Sequence, residues 1–171
     1  IDADSGVPLP CRLTIVDSRG SLAPIGARSD GHLAIRPGVV YTCDGRAEFG
    51  LPAGQYTIYA GRGFEYGVAR AEVQLAAGDE IAKELRIARE VDTPGLVSID
   101  THIHTVTYSG HGDAKIDERM ATIAGEGIEL AVATDHNVHV DYEPVARQTG
   151  TRSYFTPVVG NEVTTPVGHF N

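Results

Sequence analysis

Asp100-Thr-His-Ile-His104 is the stretch of this chain that decides its fold, and it follows the short apolar run Leu96-Val-Ser-Ile99. Two later apolar runs, Leu130-Ala-Val-Ala133 and Pro157-Val-Val159, are each followed in the same way by histidine and carboxylate side chains. In parallel sheets the strands are buried apolar runs, and the loops at their carboxyl ends carry the chemistry. The pattern therefore predicts a parallel sheet with a metal site at one edge.

The segments between these runs have helical patterns. Asp113 is a predicted N-cap, and apolar residues recur at helical spacing from Ile116 to Ala124 before Gly127. Glu143-Pro144, after Asp141, predicts a second and shorter helix. The resulting order of strand, helix, strand, helix, strand is a βαβαβ unit, which is typical of a parallel sheet with right-handed crossovers.

Residues 1 to about 90 have a different pattern, with short, partly alternating segments separated by Gly, Pro and Asp turns. The predicted strands are Arg12-Leu-Thr-Ile-Val-Asp17, Gln55-Tyr-Thr-Ile-Tyr-Ala60, Val68-Ala-Arg-Ala-Glu-Val-Gln-Leu75 and Ile81-Ala-Lys-Glu-Leu-Arg-Ile87. Strands of this length and spacing predict an N-terminal antiparallel β-sandwich. The pattern changes at Pro94-Gly95, so we predict two domains, residues 1–92 and 95–171.

Composition limits the classes of partner. The net charge is −9, and from Asp100 onward ten acidic residues face four Lys and Arg, while six of the seven histidines lie there. Such a segment repels polyanions and suits divalent cations, so nucleic acid is not the expected partner. No apolar run is long enough to span a membrane. Cys11 and Cys43 are predicted to be either two buried or free thiols or a single disulfide.

The histidines of the opening stretch can chelate one cation. Side chains alternate along a strand, so Asp100, His102 and His104 are predicted on one face of the sheet. A set of imidazole and carboxylate groups without thiolate suits Zn²⁺, Mn²⁺ or Fe²⁺, and the spacing does not choose among them. His32 and His139 fit no such pattern and are predicted to be surface residues.

The C-terminal motifs resemble those of a known family. In order, they are Asp100-Thr-His-Ile-His-Thr105, Ser109-Gly-His-Gly-Asp113, Thr134-Asp-His-Asn137, Gly160-Asn-Glu162 and Gly168-His-Phe-Asn171. They are similar to the successive motifs of the PHP (polymerase and histidinol phosphatase) family, in particular its carbaryl-hydrolase-like branch. The resemblance covers about residues 95 to 171. It implies the first βαβαβ part of a distorted, TIM-like (β/α)7 barrel that holds two or three divalent metal ions.

The resemblance also assigns roles to residues. It implies that His102 and His104 bind the first metal ion, that Glu162 bridges the first and second, and that His169 binds the second. A third site would hold the two remaining ligands, His111 and His136. Asp100 and Asp135 are expected to orient imidazoles, although either could ligate directly. The expected catalytic residues are Asp135 and Glu162.

The N-terminal part resembles another module. Gly6-Val-Pro-Leu-Pro10, Asp17-Ser-Arg-Gly20 and Leu51-Pro-Ala-Gly-Gln-Tyr56 are similar to turns of carboxypeptidase regulatory-like, transthyretin-type β-sandwiches. Such modules often precede hydrolase domains in exported bacterial proteins. This resemblance implies a periplasmic or extracellular location.

Together the resemblances imply a metal-dependent hydrolase in which a metal-activated water attacks an ester, amide, carbamate or phosphoester. Three strands cannot close a barrel. We therefore expect the chain to be a fragment with an incomplete metal site and little or no activity, whose further ligands would follow Asn171; the alternative is that a partner chain completes the sheet. Two alternatives are a β-sandwich binding module with a remnant, non-catalytic metal site, and a regulatory or proofreading scaffold acting on nucleic acid, which the acidic charge disfavours.

Overall fold

The computed structural model of the protein describes residues 1–171 and is mostly β, with ten strands and three short α-helices. The strands are β1 (Cys11–Asp17), β2 (Leu33–Arg36), β3 (Val39–Thr42), β4 (Gly54–Gly61), β5 (Ala69–Leu75), β6 (Ile99–Ile103), β7 (Leu130–Ala133), β8 (Thr156–Val159), β9 (Val163–Thr165) and β10 (Gly168–Phe170). The helices are α1 (Val106–Ser109), α2 (Ile116–Gly125) and α3 (Glu143–Gln148), followed by a 3-10 turn at Thr151–Ser153. None of the helices has the length and apolar character needed to cross a membrane.

The N-terminal strands form one five-stranded antiparallel sheet in the order β2-β3-β1-β4-β5. Alternating residues of the central strands bury one face, on which Ile15, Val40 and Ile58 form a core. The β2–β3 hairpin turns at Pro37-Gly38, where Gly38 has a φ of 66°. A side chain there would meet Leu22 at 2.6 Å, so both the turn and the packing require glycine.

The structure confirms an antiparallel N-terminal sheet, but it shows one sheet where we predicted a sandwich of two. Three of the four predicted strands are present as β1, β4 and β5, and the β2–β3 hairpin was missed. The predicted strand at residues 81–87 is wrong, because only Ile87 makes an isolated bridge, to Asp2. On the second face of β2 and β3, helix α2 packs against Ala34 and Cys43 through Ala121, in a place where a second sheet would lie.

The C-terminal strands β6, β7 and β8 form an open parallel sheet in the order β6-β7-β8, followed by the β9–β10 hairpin. The predicted βαβαβ order is therefore present, and no closed barrel forms. The core beneath the parallel sheet contains Ile103, Met120, Ala131 and Tyr142. Because Met120 belongs to α2, this helix is part of the core as well. Each parallel strand ends at the same edge of the sheet, where the predicted ligands are found.

The ends of the helices differ partly from the prediction. Helix α2 begins at Ile116, and Asp113 is not its N-cap. The Glu118 carboxylate instead accepts a hydrogen bond from the backbone N–H of Lys115 at 2.9 Å, while Asp113 pairs with Arg119. The second helix starts where we predicted, with Asp141 accepting a hydrogen bond from the N–H of Glu143.

A buried arginine joins the two sheets. The guanidinium of Arg62, on the turn after β4, donates to the carbonyl of Pro10 at 3.1 Å and to the carbonyl of Ala124 near the end of α2. It also lies over the rings of Tyr66 and Tyr154, 5.8 and 5.4 Å from their centroids. The buried cation therefore links the residue before β1 to the end of α2.

Cys11 and Cys43 are both buried, free thiols, which decides between the two predicted states. Burial raises the pKa of both groups, that of Cys43 to about 12. The thiolate form of Cys43 is therefore disfavoured at neutral pH, and the side chain acts as a small apolar group in the core.

Candidate metal centre

Side chains from the ends of several strands meet above the carboxyl edge of the parallel sheet. His102 lies in β6 and His104 just after it, His136 follows β7, Glu162 follows β8, and His169 lies in β10. An isolated parallel bridge between His136 and Glu162 extends the sheet at this point. The ligand atoms of these residues form two groups, His102-His104-Glu162 and His136-Glu162-His169, each with all ligand atoms within 4.8 Å of one another.

The first ligand group is a compact triangle. The Nε2 atoms of His102 and His104 are 2.9 Å apart, and the Oε2 atom of Glu162 is 3.0 Å from the first and 2.8 Å from the second. For sides of this length, a cation about 1.2 Å above the plane lies about 2.1 Å from every corner, the usual Zn–N distance. The triangle therefore fits a divalent cation.

Glu162 also belongs to the second ligand group. Its other oxygen, Oε1, lies 2.7 Å from Nδ1 of His169, and Nδ1 of His136 is 3.5 Å from Oε2. Glu162 is only 4% exposed, so this carboxylate is withdrawn from water and needs partners for both oxygens. A carboxylate with histidines at each oxygen has the geometry of a bridging ligand.

His111 lies beside His136, with 2.6 Å between the Nε2 atoms of the two rings. The loop that carries His111 is exposed, and its ring is also 5.4 Å from the ring of His104. All six predicted metal ligands are thus brought together. His136 has one ring nitrogen directed to Glu162 and the other to His111, so it joins the predicted third site to the second group.

Asp135 lies behind the histidines and is fully buried. Its Oδ1 accepts hydrogen bonds from the Thr105 backbone N–H at 2.8 Å and from the Thr105 and Ser109 hydroxyls at 3.0 and 2.7 Å. Its Oδ2 accepts from the Tyr142 hydroxyl at 2.8 Å. Asp135 thus contacts the ligands through Ser109, the arrangement expected of a group that orients imidazoles.

The contacts of Ser109 determine which ring nitrogen of a neutral His104 carries the proton. Because the single hydroxyl proton of Ser109 goes to Asp135, its oxygen is left to accept from Nδ1–H of His104, 3.2 Å away. In a neutral His104 the Nε2 atom therefore carries the lone pair, and it faces the Glu162 carboxylate at 2.8 Å. Two acceptors in contact need a cation between them.

The charge states of the site agree with this arrangement. Burial lowers the pKa of His104 below its usual 6.5, and the neighbouring His136 and His102 rings lower it further against the opposing effect of Glu162. For Glu162, burial raises the pKa, but hydrogen bonds from His102 and His169 outweigh it and bring the pKa to about 2. At neutral pH the site therefore holds a carboxylate and a neutral His104, the forms that bind metal ions.

We expect metal affinity to fall as the pH decreases through the pKa of His104, which burial holds below the usual histidine value of 6.5. His104 has a lowered pKa, so its lone pair is free at pH 7 and is lost only as the pH falls through that lowered value. Glu162 stays ionised throughout this range because its pKa is about 2. Zinc titrations at pH 7.5, 6.5 and 5.0 measure the effect, and an affinity that is constant down to pH 5 contradicts it.

Other residues support the site without having been predicted to do so. The Thr164 hydroxyl lies 2.9 Å from Nδ1 of His136, and its backbone N–H donates to the Asn137 side chain at 3.0 Å. Asn137 has a φ of 56°, a left-handed conformation that asparagine tolerates better than most residues. Ser109 and Asn137 lay within the motifs, whereas Thr164 and Tyr142 carried no sequence signal beyond their residue types.

Three of the residues considered from the sequence lie outside the ligand groups. Asp100 accepts a hydrogen bond from the backbone N–H of His102 at 3.0 Å and contacts no imidazole. His32 and His139 are exposed, as predicted for surface residues.

No protein-family model matches this chain, and neither the curated proteins nor the solved structures include a significant match to it. The interpretation of the site therefore depends on its own geometry.

Proposed function

We propose that this protein is a metal-dependent hydrolase whose Glu162 carboxylate bridges two divalent cations. One observation carries the proposal: Nε2 of His104, oriented as an acceptor by Ser109, faces the Glu162 carboxylate at 2.8 Å, and the other Glu162 oxygen faces His169 at 2.7 Å. A buried carboxylate with imidazole nitrogens at both of its oxygens favours a pair of cations. Zn²⁺, Mn²⁺ and Fe²⁺ all suit these nitrogen and oxygen ligands.

The chemistry proposed is the attack of water on an ester, amide, carbamate or phosphoester. A bound divalent cation supplies Lewis acidity and lowers the pKa of water. The side chains of Glu162 and His104 are 5% and 19% exposed, whereas those of His102 and His169 are each 50% exposed. Their exposed edges leave room for substrate on the open side of the centre.

The wider assignment to the PHP family is part of the same proposal. It is supported by the order of the motifs and by the βαβαβ topology, in which His102, His104, His136 and Glu162 lie at or just after the carboxyl ends of β6, β7 and β8. This proposal also includes three further points: the (β/α)7 barrel, the division into residues 1–92 and 95–171, and export of the protein. Each depends on the resemblance of the motifs.

Metal analysis tests the first ligand group. We expect the His102→Ala/His104→Ala variant to retain about one equivalent of zinc after dialysis, against about two for the unchanged chain, because only one of the two ligand groups is removed. The matched control is His32→Ala/His139→Ala, which removes two exposed histidines outside the site. Full zinc stoichiometry in the first variant would contradict the proposed ligands.

An assay of turnover tests the hydrolase assignment separately. The zinc-, manganese- and iron-loaded chain is incubated with phenyl acetate and with 4-nitrophenyl phosphate, and each rate is compared with that of the chelator-treated chain. Metal-dependent release of product from either substrate supports the hydrolase. Stoichiometric metal without turnover favours a non-catalytic site, either that of the binding module or the incomplete site expected of a hydrolase fragment.

A further inference from the structure

The β9–β10 hairpin, residues 163–170, lies beside the metal centre without sharing a hydrophobic core with it. Its large apolar side chains are exposed, Val163 by 46%, Val167 by 89% and Phe170 by 58%. None of the three belongs to a core cluster of the protein. A two-stranded hairpin on its own is only marginally stable in water. The position of this hairpin therefore depends on its polar contacts.

Three polar contacts hold the hairpin to its surroundings, and two of them involve ligands of the proposed centre on both sides. Nδ1 of His169 lies 2.7 Å from Oε1 of Glu162, and the Thr164 hydroxyl lies 2.9 Å from Nδ1 of His136. In the third contact, the backbone N–H of Thr164 donates to Oδ1 of Asn137 at 3.0 Å. Asn137 is therefore the residue outside the ligand set that ties the hairpin to the parallel sheet.

Asn137 is itself fixed in the conformation that this contact needs. Its backbone N–H donates to the carbonyl of Glu162, the residue before β9, at 3.0 Å. Its φ of 56° is a left-handed value that asparagine tolerates. Asn137 thus contacts the chain on both sides of Val163, through its backbone at Glu162 and through its side chain at Thr164.

The two ligand groups differ in how firmly their members are held. In the first group, His102 and His104 lie at the end of β6, and Glu162 is buried. In the second group, His169 is carried by the hairpin, and its side chain is 50% exposed. Opening of the hairpin removes His169 and leaves the first group complete. A cation in the second group therefore binds only the closed hairpin, and its apparent affinity is reduced by the fraction of molecules that are closed.

We propose that the β9–β10 hairpin is a metal-dependent strap over the second ligand group, and that Asn137 is the positioning residue that keeps it closed. The first cation binds the group already formed on the sheet. The second cation binds more weakly and orders the hairpin. The centre is therefore loaded in two steps, and the concentration of divalent cation decides when the two-cation form appears. The inference rests on the two-cation centre of the proposed function, but not on its hydrolytic activity.

Hydrogen exchange of the full chain, measured by mass spectrometry at short labelling times, tests the strap without requiring turnover. We expect residues 163–170 to exchange rapidly in the zinc-free chain and at least about tenfold more slowly when both ligand groups are filled, because the second cation closes the hairpin. In His169→Ala, which removes the ligand carried by the hairpin, zinc should leave this exchange fast. Equal exchange of the hairpin with and without zinc in the unchanged chain overturns the strap.

Asn137→Gly tests the positioning residue. Glycine accepts a φ of 56° and keeps the N–H that donates to Glu162, so only the contact with Thr164 is lost. We expect the second step of a calorimetric zinc titration to weaken by about tenfold and the first step to stay unchanged. Asn137→Asp keeps an acceptor for the Thr164 N–H and should restore the slow exchange of the zinc-loaded hairpin. An unchanged second step in Asn137→Gly, or equal weakening of both steps, overturns the role of Asn137.

The outcomes separate this proposal from the function on which it rests. Zinc-dependent protection of the hairpin without hydrolysis of phenyl acetate or 4-nitrophenyl phosphate supports the strap and counts against the hydrolase. Turnover by a zinc-loaded chain whose hairpin exchanges as fast as in the zinc-free chain supports the hydrolase and overturns the strap.

Discussion

Glu162→Gln is expected to remove nearly all bound metal from the protein. The substitution keeps the size of the side chain but replaces the negative charge that both ligand groups share. Loss of groups outside the ligand shell already lowers metal affinity by about 10- to 100-fold, so loss of a shared ligand should exceed about 100-fold. Zinc content after dialysis and calorimetric zinc titration measure the loss.

The matched control for this substitution is Glu72→Gln. Glu72 is an exposed carboxylate on β5 that pairs with Arg70 at 2.6 Å, far along the chain from every ligand. It should leave the zinc content unchanged. Two equivalents of tightly bound zinc in Glu162→Gln would exclude a bridging role for this carboxylate.

Asp135→Ala is expected to lower the free energy of unfolding by about 3 kcal/mol or more. The carboxylate is fully buried and accepts four hydrogen bonds, and its removal leaves the Thr105 N–H and three hydroxyls without their acceptor. Unpaired buried donors cost about 1–3 kcal/mol each, and hydroxyls that turn to other partners recover part of that. Urea unfolding of the metal-free chain measures the loss.

The same variant should also bind zinc about 10- to 100-fold more weakly, since Ser109 would no longer be held as an acceptor for Nδ1–H of His104. Asp141→Ala is the matched control: it removes an exposed aspartate that accepts a hydrogen bond from the Glu143 N–H at the start of α3, which costs about 1 kcal/mol and should leave zinc affinity unchanged. If Asp135→Ala unfolds with the same free energy as the unchanged chain, the buried network does not stabilise the fold.

The gathering of the ligands could be predicted from the sequence because it depends on topology alone. Three apolar runs form the parallel sheet: the run before Asp100, Leu130-Ala-Val-Ala133 and Pro157-Val-Val159. Their carboxyl ends lie at one edge of the sheet for any conformation of the loops. Register within the first strand was less well predicted. β6 begins only at Ile99, the last residue of the apolar run, and its pairing with β7 shifts between Asp100 and Ile103.

The supporting contacts could not be predicted because they depend on how separate elements pack against one another. Tyr142 reaches Asp135 only because β7 and α3 pack in one core, and Ser109 reaches it only because α1 folds back over the end of β7. The missing second sheet has a similar origin. The helical pattern predicts which residues of α2 are apolar. It does not predict that Ala121 packs against a sheet from another part of the chain.

Helix α2 has a thermodynamic consequence for the whole chain. Its Met120, Ile123 and Ala124 side chains are buried with the parallel sheet, while Ala121 is buried against Ala34 and Cys43 of the N-terminal part. Neither part can lose its packing without exposing a side of the same helix, so we expect the two halves to unfold as one cooperative unit. Metal binding at the proposed site is therefore expected to raise the melting temperature of β1 to β5, strands that hold none of the proposed ligands.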